Sequence, residues 1–360
     1  MPSEEGQIVD RQRRLSDILG VSGHEEKVVE EIIGEIEGVV DKYWIDKMGN
    51  LLGVMNATSE HAANDSAILL DAHTDEIGFM ITHITDQGFL YFTLIGGWDE
   101  RLFLGHSAIM EEGDQRFYGI VGALPPHITS QEERARLVPL DSLFLDFGFL
   151  SREEADQAGV HVGTVGTLDT GFQELPGGRL KGKAFDDRSG CNMLVQTALN
   201  IADQSRPHTV CFAWCVQEEL GSRGARTAAY ALDQEYHLSL AIACENTTAG
   251  DVPGVQPQLN PSRMGKGAAI TLMDANTIVP RRISDRLVAV AQANEIPFQF
   301  KTPARGGTDA GVIHLTRTGI PSGVVSVPGR YIHSPGTIID RQDLIAAVNL
   351  VTAFAIEPLE

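Results

Sequence analysis

Long apolar runs are missing from this 360-residue chain. No stretch approaches the ~20 residues that a helix needs to cross a bilayer, so a membrane-spanning role is excluded at the level of helices. The first residues, "MPSEEGQIVDRQRRL", hold no apolar segment of the signal-peptide kind, and the expected location is cytoplasmic. Positive charge is also scarce. Lys and Arg number 28 against 49 Asp and Glu, a formal charge of -21 that repels polyanions and argues against nucleic acid as a partner. Aromatic residues make up only 6%, too few to favour a sugar-binding cleft. The four cysteines, Cys191, Cys211, Cys215 and Cys244, lie in apolar segments without CxxC spacing, which points to buried reduced thiols. A phosphate-binding P-loop and a G-x-S-x-G nucleophile elbow are both absent; "ARGGTDAG" has neither the spacing nor the lysine of the former.

What the chain does have is an ordinary globular composition, 42% hydrophobic and 21% charged, and a change of pattern along its length. Residues 8–40 predict two helices, with Ser22 and Glu25 as a capping box opening the second. Strands follow in "NLLGVM" and "SAILLDAHTDE". From 76 to 173 paired strand-like runs surround Asp86-Gln87-Gly88 and then Glu112-Gly113-Asp114, which predicts antiparallel β structure. Beyond 174, helix and strand signals alternate to the end. The fold class expected is therefore α/β, a mixed, mostly parallel sheet with helices on both faces, formed by residues 1–75 and 174–360. A β-rich, barrel-like unit, 76–173, is inserted into it.

In open α/β sheets ligands bind beyond the carboxyl ends of the strands. Reading those ends in order yields His73, Asp186 and Asp187 in "AFDDRSG", Glu218 and Glu219 in "CVQEELGSRG", Glu245 in "IACEN" and His333 in "RYIHSP". Each has a structural reading when taken alone: a hydrogen-bonded histidine, a solvated glutamate, an aspartate capping the helix that begins near Ser189. Together they form a set of nitrogen and oxygen donors that suits zinc, cobalt or manganese. Two carboxylates about 5 Å apart repel by roughly 3 kcal/mol at an effective dielectric near 20. Divalent cations would offset that repulsion between Glu218 and Glu219.

The segments "DAHTDEIGFMI", "GALPPHI", "LFLDFG", "KGKAFDDRSGC", "VQEELGSRGA", "LAIACENTTAGDVPG" and "GTDAGVIHLTRTGIPSGVVSVPGRYIHSP" resemble, in order, the tetrahedral (TET) aminopeptidases, a family of co-catalytic metallopeptidases. Members are often labelled glutamyl aminopeptidase or endoglucanase. The resemblance implies two metal ions per subunit. His73 would bind one, Asp186 would bridge both, Glu219 and Glu245 would each hold one of them, and His333 would complete the second site. It further implies Glu218 as general base and Asp75 and Asp187 as supporting residues. The inserted unit would be a dimerisation domain, and dimers would assemble into a tetrahedral dodecamer. His127, in "PPHIT", would be a turn residue or approach a neighbouring subunit's site.

The expected reaction is removal of N-terminal amino acids from short peptides by a metal-activated water. Competing readings are a related metallohydrolase acting on N-acylated or C-terminal amino acids, a glycosidase, and a non-catalytic shell with structural metals. Arg305 and Lys266 are the basic residues considered as receptors for an acidic substrate side chain.

Overall fold

A computed structural model describes residues 3–59, 66–125, 127–301 and 306–359. Helix α1 (Glu4–Asp17) opens at Ser3, whose hydroxyl accepts the Gly6 N–H, and carries two glutamates in its first turn, where the helix dipole favours negative charge. Helix α2 (Glu26–Ile36) buries Val28, Val29, Ile32 and Ile36 on one face and leaves its acids outside. The capping box expected at its start does not form. Ser22 Oγ donates instead to Asp75 Oδ2 (2.6 Å), and Glu25 accepts the N–H groups of Gly23 and Gln217, so both side chains are drawn away from their own helix by a loop beneath them. Strands β1 (Lys42–Ile45), β2 (Leu51–Met55) and β3 (Ala67–His73) follow.

The next strands are β4 (Gly78–Ile84), β5 (Leu90–Ile95), β6 (Ser107–Glu112) and β7 (Gln115–Gly122). After them come the short helix α3 (Gln131–Arg134), β8 (Phe144–Asp146), α4 (Arg152–Gln157) and β9 (Val165–Leu168). The six strands close into a barrel in the order β4-β5-β8-β7-β6-β9. Closure leaves no unpaired strand edge. Its interior is filled by Phe79, Ile81, Leu90, Phe92, Phe103, Met110 and Leu145. The β4–β5 turn needs Gly88: φ is +85°, and a Cβ there would stand 2.3 Å from the Phe149 carbonyl oxygen.

The remainder comprises β10 (Gln173–Leu175), β11 (Arg179–Gly182), α5 (Phe185–Ile201), β12 (Thr209–Cys215), α6 (Arg223–Tyr236), β13 (Leu238–Thr248) and β14 (Ala268–Thr271). It closes with α7 (Arg281–Ala293), β15 (Phe298–Lys301), α8 (Ala310–Ile313), β16 (Ser322–Arg330), β17 (Thr337–Asp340) and α9 (Arg341–Ala355). The main sheet runs β1-β2-β12-β3-β13-β16-β17-β11-β10, with β14 joined to β16 and β15 to β14. It is mixed. At its centre β12, β3, β13 and β16 are parallel, whereas both flanks pair antiparallel. The central strands are near-continuous apolar runs because helices cover both of their faces. Helices α1, α2, α5, α7 and α9 pack on one face; α6 and α8 pack on the other. Ile68, Leu69 and Leu70 of β3 are fully buried, each worth roughly 1.5–3 kcal/mol relative to exposure. Among the described residues no helix is long and apolar enough to cross a membrane. All four cysteines are free and buried.

Candidate active site

The parallel strands deliver the donors to one end of the sheet. His73 is the last residue of β3, level with Cys215, the last of β12. Beyond Cys215 the chain turns back sharply: Gln217 takes a left-handed conformation (φ 58°), and the Glu218 carbonyl accepts the N–H groups of Gly221 and Ser222. Glu245 does not lie at a strand end, as the sequence suggested, but inside β13. That strand continues to Thr248 in register with β16, beyond the point where β3 and β12 have stopped. Its side chain reaches the site beside the end of β3, with Oε2 4.0 Å from His73 Nε2. Asp186 and Asp187 precede the regular turns of α5, and the peptide bond between them is cis. His333 follows β16 with φ 56°.

Six of the anticipated residues converge. His73 Nε2 lies 3.3 Å from Asp186 Oδ1, and His333 Nε2 lies 3.4 Å from Asp186 Oδ2, so each oxygen of one carboxylate faces a different imidazole. Glu219 Oε1 is 3.2 Å from His333 Nε2, while Glu245 Oε2 and Glu218 Oε2 each stand 4.0 Å from His73 Nε2. Three overlapping groups of donors result: His73, Asp186 and Glu245; Asp186, Glu219 and His333; His73, Glu218 and Glu219. Within each, ligand atoms lie within 4.8 Å of one another. These groups could hold metal ions.

The two remaining aspartates hold the scaffold. Asp75 is fully buried and accepts Glu218 N–H on Oδ1 (2.9 Å) and Glu219 N–H on Oδ2 (3.1 Å). Its backbone carbonyl lies 3.1 Å from His73 Nδ1, which leaves Nε2 facing the acids. Asp187 accepts the Gly190 N–H on one oxygen, capping α5, and the His73 N–H on the other. The capping role foreseen for one member of "DD" thus falls to the second, and Asp186 is free to face the imidazoles. His333 is oriented by the Gly97 carbonyl, 2.9 Å from its Nδ1, which the segment after β5 provides. Beneath the site Lys183 pairs with Glu76 at 2.7 Å, tying the "KGKAFDD" segment to "DAHTDE".

Crowding of like charge shows in the protonation behaviour. Burial, reinforced by the neighbouring charges of Glu219 and Asp186, pushes the Glu218 carboxyl up to about 7. Burial, with Asp187 beside it, drives Glu245 well above the carboxylate range. Burial opposes charge on His333 too, yet Asp186 and Glu219 prevail and raise it to about 11. Four carboxylates against two imidazoles leave a deficit of positive charge that divalent cations would fill.

The cluster opens into a cavity of about 410 Å³. Its lining also includes Asn246, Thr248, Thr308, Ile332 and Lys301, the last only 6% exposed. Burial lowers the pKa of the Lys301 ammonium, with Asp274 and Glu245 acting the other way. Sequence reasoning passed over Lys301 because it ends an unremarkable strand, "FQFK". Of the two bases it did consider, Lys266 is exposed and outside the cavity lining, and Arg305 lies outside the described residues. Glu25 was likewise missed as a support for the Gln217 turn. His127 is exposed on a turn and joins none of these groups.

Against known proteins, the profile described as M42 glutamyl aminopeptidase matches residues 53–350. A putative aminopeptidase of Acetivibrio thermocellus is 35% identical over 97% of this chain and 98% of its own length. The lysyl aminopeptidase of Pyrococcus furiosus is 30% identical over 95% of this chain and 94% of that protein. Among solved structures, the TET1 peptidase of Pyrococcus horikoshii, which can assemble into a tetrahedron or a large octahedral shell, superposes with a TM-score of 0.85. It is 32% identical, covering 97% of this chain and 99% of that one.

Proposed function

The chain belongs to the M42 glutamyl aminopeptidase family, and on that premise we propose a two-metal aminopeptidase that takes single residues from the N-termini of short peptides. The observation that carries this reading is the placement of Asp186 between His73 and His333, with a further carboxylate on each side, Glu245 and Glu219. The donor set fits the group the family implies: imidazole nitrogens and carboxylate oxygens in a charge-deficient cluster suit zinc first, with cobalt or manganese as alternatives. His73 and Glu245 would hold one ion, His333 and Glu219 the other, and Asp186 both. When bound, such ions supply Lewis-acid polarisation of the scissile carbonyl and acidify a water molecule.

Glu218 is the residue left to move protons. Its carboxylate stands near His73 but takes no part in the His333 side, and its Oε1 is within reach of the Ser222 hydroxyl (3.2 Å). It accepts the proton of the attacking water and returns it to the leaving amine. Glu219 cannot share this task, since a coordinating carboxylate is held as an anion. The adjacent pair is a division of labour between ligand and base.

Self-association belongs to the same reading. Strand β7 and the segment between it and α3 expose Tyr118, Ile120, Leu124 and Ile128, apolar residues that a free monomer would leave in water. We take the inserted unit, residues 76–173, as the dimerisation domain, and assembly of dimers into a tetrahedral dodecamer as the quaternary state, on the likeness to the P. horikoshii peptidase. Native mass spectrometry reads the state directly; a monomer at micromolar concentration overturns this part.

The activity is tested with a mixed pool of peptides, half with free and half with acetylated N-termini, and chelator-stripped protein before and after Zn²⁺, Co²⁺ or Mn²⁺. Stepwise loss of residues from the free peptides alone, restored by metal, is the expected result. Cleavage of the acetylated half instead indicates a hydrolase of N-acylated substrates, and no cleavage despite full metal occupancy removes the peptidase reading.

A further inference from the structure

Among the described residues five cationic side chains are buried: Arg11, Lys183, Arg188, Arg206 and Lys301. The first four have partners inside the fold. Arg11 donates to Asn192, Gln196 and Glu35; Lys183 to Glu76 and the Ile18 carbonyl. Arg188 and Arg206 are each held by several backbone carbonyls. Lys301 differs. Among the described residues its ammonium makes no hydrogen bond, and no carboxylate comes within 4.0 Å of it. Asp274, whose charge reaches it, has its oxygens occupied by the N–H groups of Asn276 and Thr277 and the Thr308 hydroxyl.

The stem of Lys301 is buried, whereas its ammonium, with no partner among the described residues, is open to the cavity, where a group from outside the chain can complete it. Lys301 lines the same cavity as the acids of the candidate active site, and Asn246, Thr248 and Thr308 add polar groups to that lining. An anion in the cavity is attracted to Lys301 and repelled by the carboxylates of Glu218, Glu219 and Glu245, which orients it. On a peptide the anion available is a carboxylate.

Resting on the aminopeptidase reading above, we propose that Lys301 receives a carboxylate of the peptide substrate and thereby sets which peptides are cleaved fastest. Family membership leaves this open, since a relative is named for lysyl residues. The carboxylate has two sources, the side chain of an acidic N-terminal residue or the C-terminus of a dipeptide. Both would place the anion at Lys301 while the free amine lies toward the carboxylates of the cluster.

The test uses metal-loaded enzyme and two substrate pairs. Glu-Leu-Leu-NH2 against Gln-Leu-Leu-NH2 varies only the side-chain charge; Leu-Leu against Leu-Leu-NH2 varies only the C-terminal charge. Wild type is expected to favour the charged member of one pair by at least ~10-fold in kcat/KM. Lys301→Met should bring that ratio close to one, and Lys301→Arg should keep part of the preference. The pair that responds identifies the source. Indifference of the wild type to charge in both pairs overturns the proposal without recourse to any variant, as does a preference that survives in Lys301→Met. Failure to cleave any of the four peptides is a different result: it removes the peptidase reading on which the proposal stands.

Discussion

Asp75 Oδ1 accepts the backbone N–H of Glu218 at 2.9 Å, and the other oxygen of the same carboxylate takes the next N–H, that of Glu219. With Glu25 accepting from Gln217, three consecutive amides of one turn are gripped by two buried side chains that lie more than 140 residues away in sequence. The turn is left-handed at Gln217, a conformation that costs a non-glycine residue about 1–2 kcal/mol and persists only under such restraint.

Removing that grip should show in both stability and turnover. Asp75→Ala leaves two half-buried amides without acceptors, at on the order of 1 kcal/mol each, and frees the segment that carries the proposed base. A lowered urea midpoint together with a kcat reduced by more than ~10-fold is expected, with Asp75→Asn less affected on both counts. Unchanged urea curves and rates would show the contact to be idle.

Glu218→Gln keeps shape and hydrogen-bonding capacity but cannot carry a proton. Metal content, measured by mass spectrometry of the elements, should match the wild type while kcat falls by at least ~10²-fold. Full activity in a fully metallated variant sinks the assignment of Glu218 as base.

His208, at the start of β12, gives a pH dependence away from the site. Burial, with the Arg286 charge behind it, lowers its pKa to about 4, below the unfolded value of about 6.5. Between these values the unfolded chain binds the extra proton, so stability is lost as the pH falls from 6.5 through 4. The loss amounts to up to about 3 kcal/mol. Unfolding free energies of the wild type and His208→Gln should therefore converge at low pH, with the flatter profile in the variant. Parallel profiles would remove His208 as a contributor.

All four thiols are buried, and burial raises Cys191, Cys211, Cys215 and Cys244 above the ordinary thiol range. Native protein should react negligibly with a disulfide reagent, and denatured protein should yield four equivalents per chain. Fewer than four after unfolding would point to a disulfide.

The sequence by itself determined the alternation of helix and strand, the place of the β-rich insertion and the residue types at the site. These are local properties: β3 reads as a strand because "AILLDAH" is apolar except at Asp71 and His73, and the turn at Asp86-Gln87-Gly88 is written in its glycine. It did not determine where side chains with several available partners would go. Ser22 and Glu25 have the spacing of a capping box, yet the carboxylate of Asp75 and the amide of Gln217 compete for them and win. Glu245 became interior to β13 because the strand is as long as its pairing with β16 permits, and pairing length is a property of the assembled sheet. Lys301 acquired its meaning in the same way: a lysine at the end of a short strand is unremarkable until the fold buries its stem, opens its ammonium to a cavity and, among the described residues, offers it no partner. Long-range packing decides burial, and burial decides which charges must be answered from outside the chain.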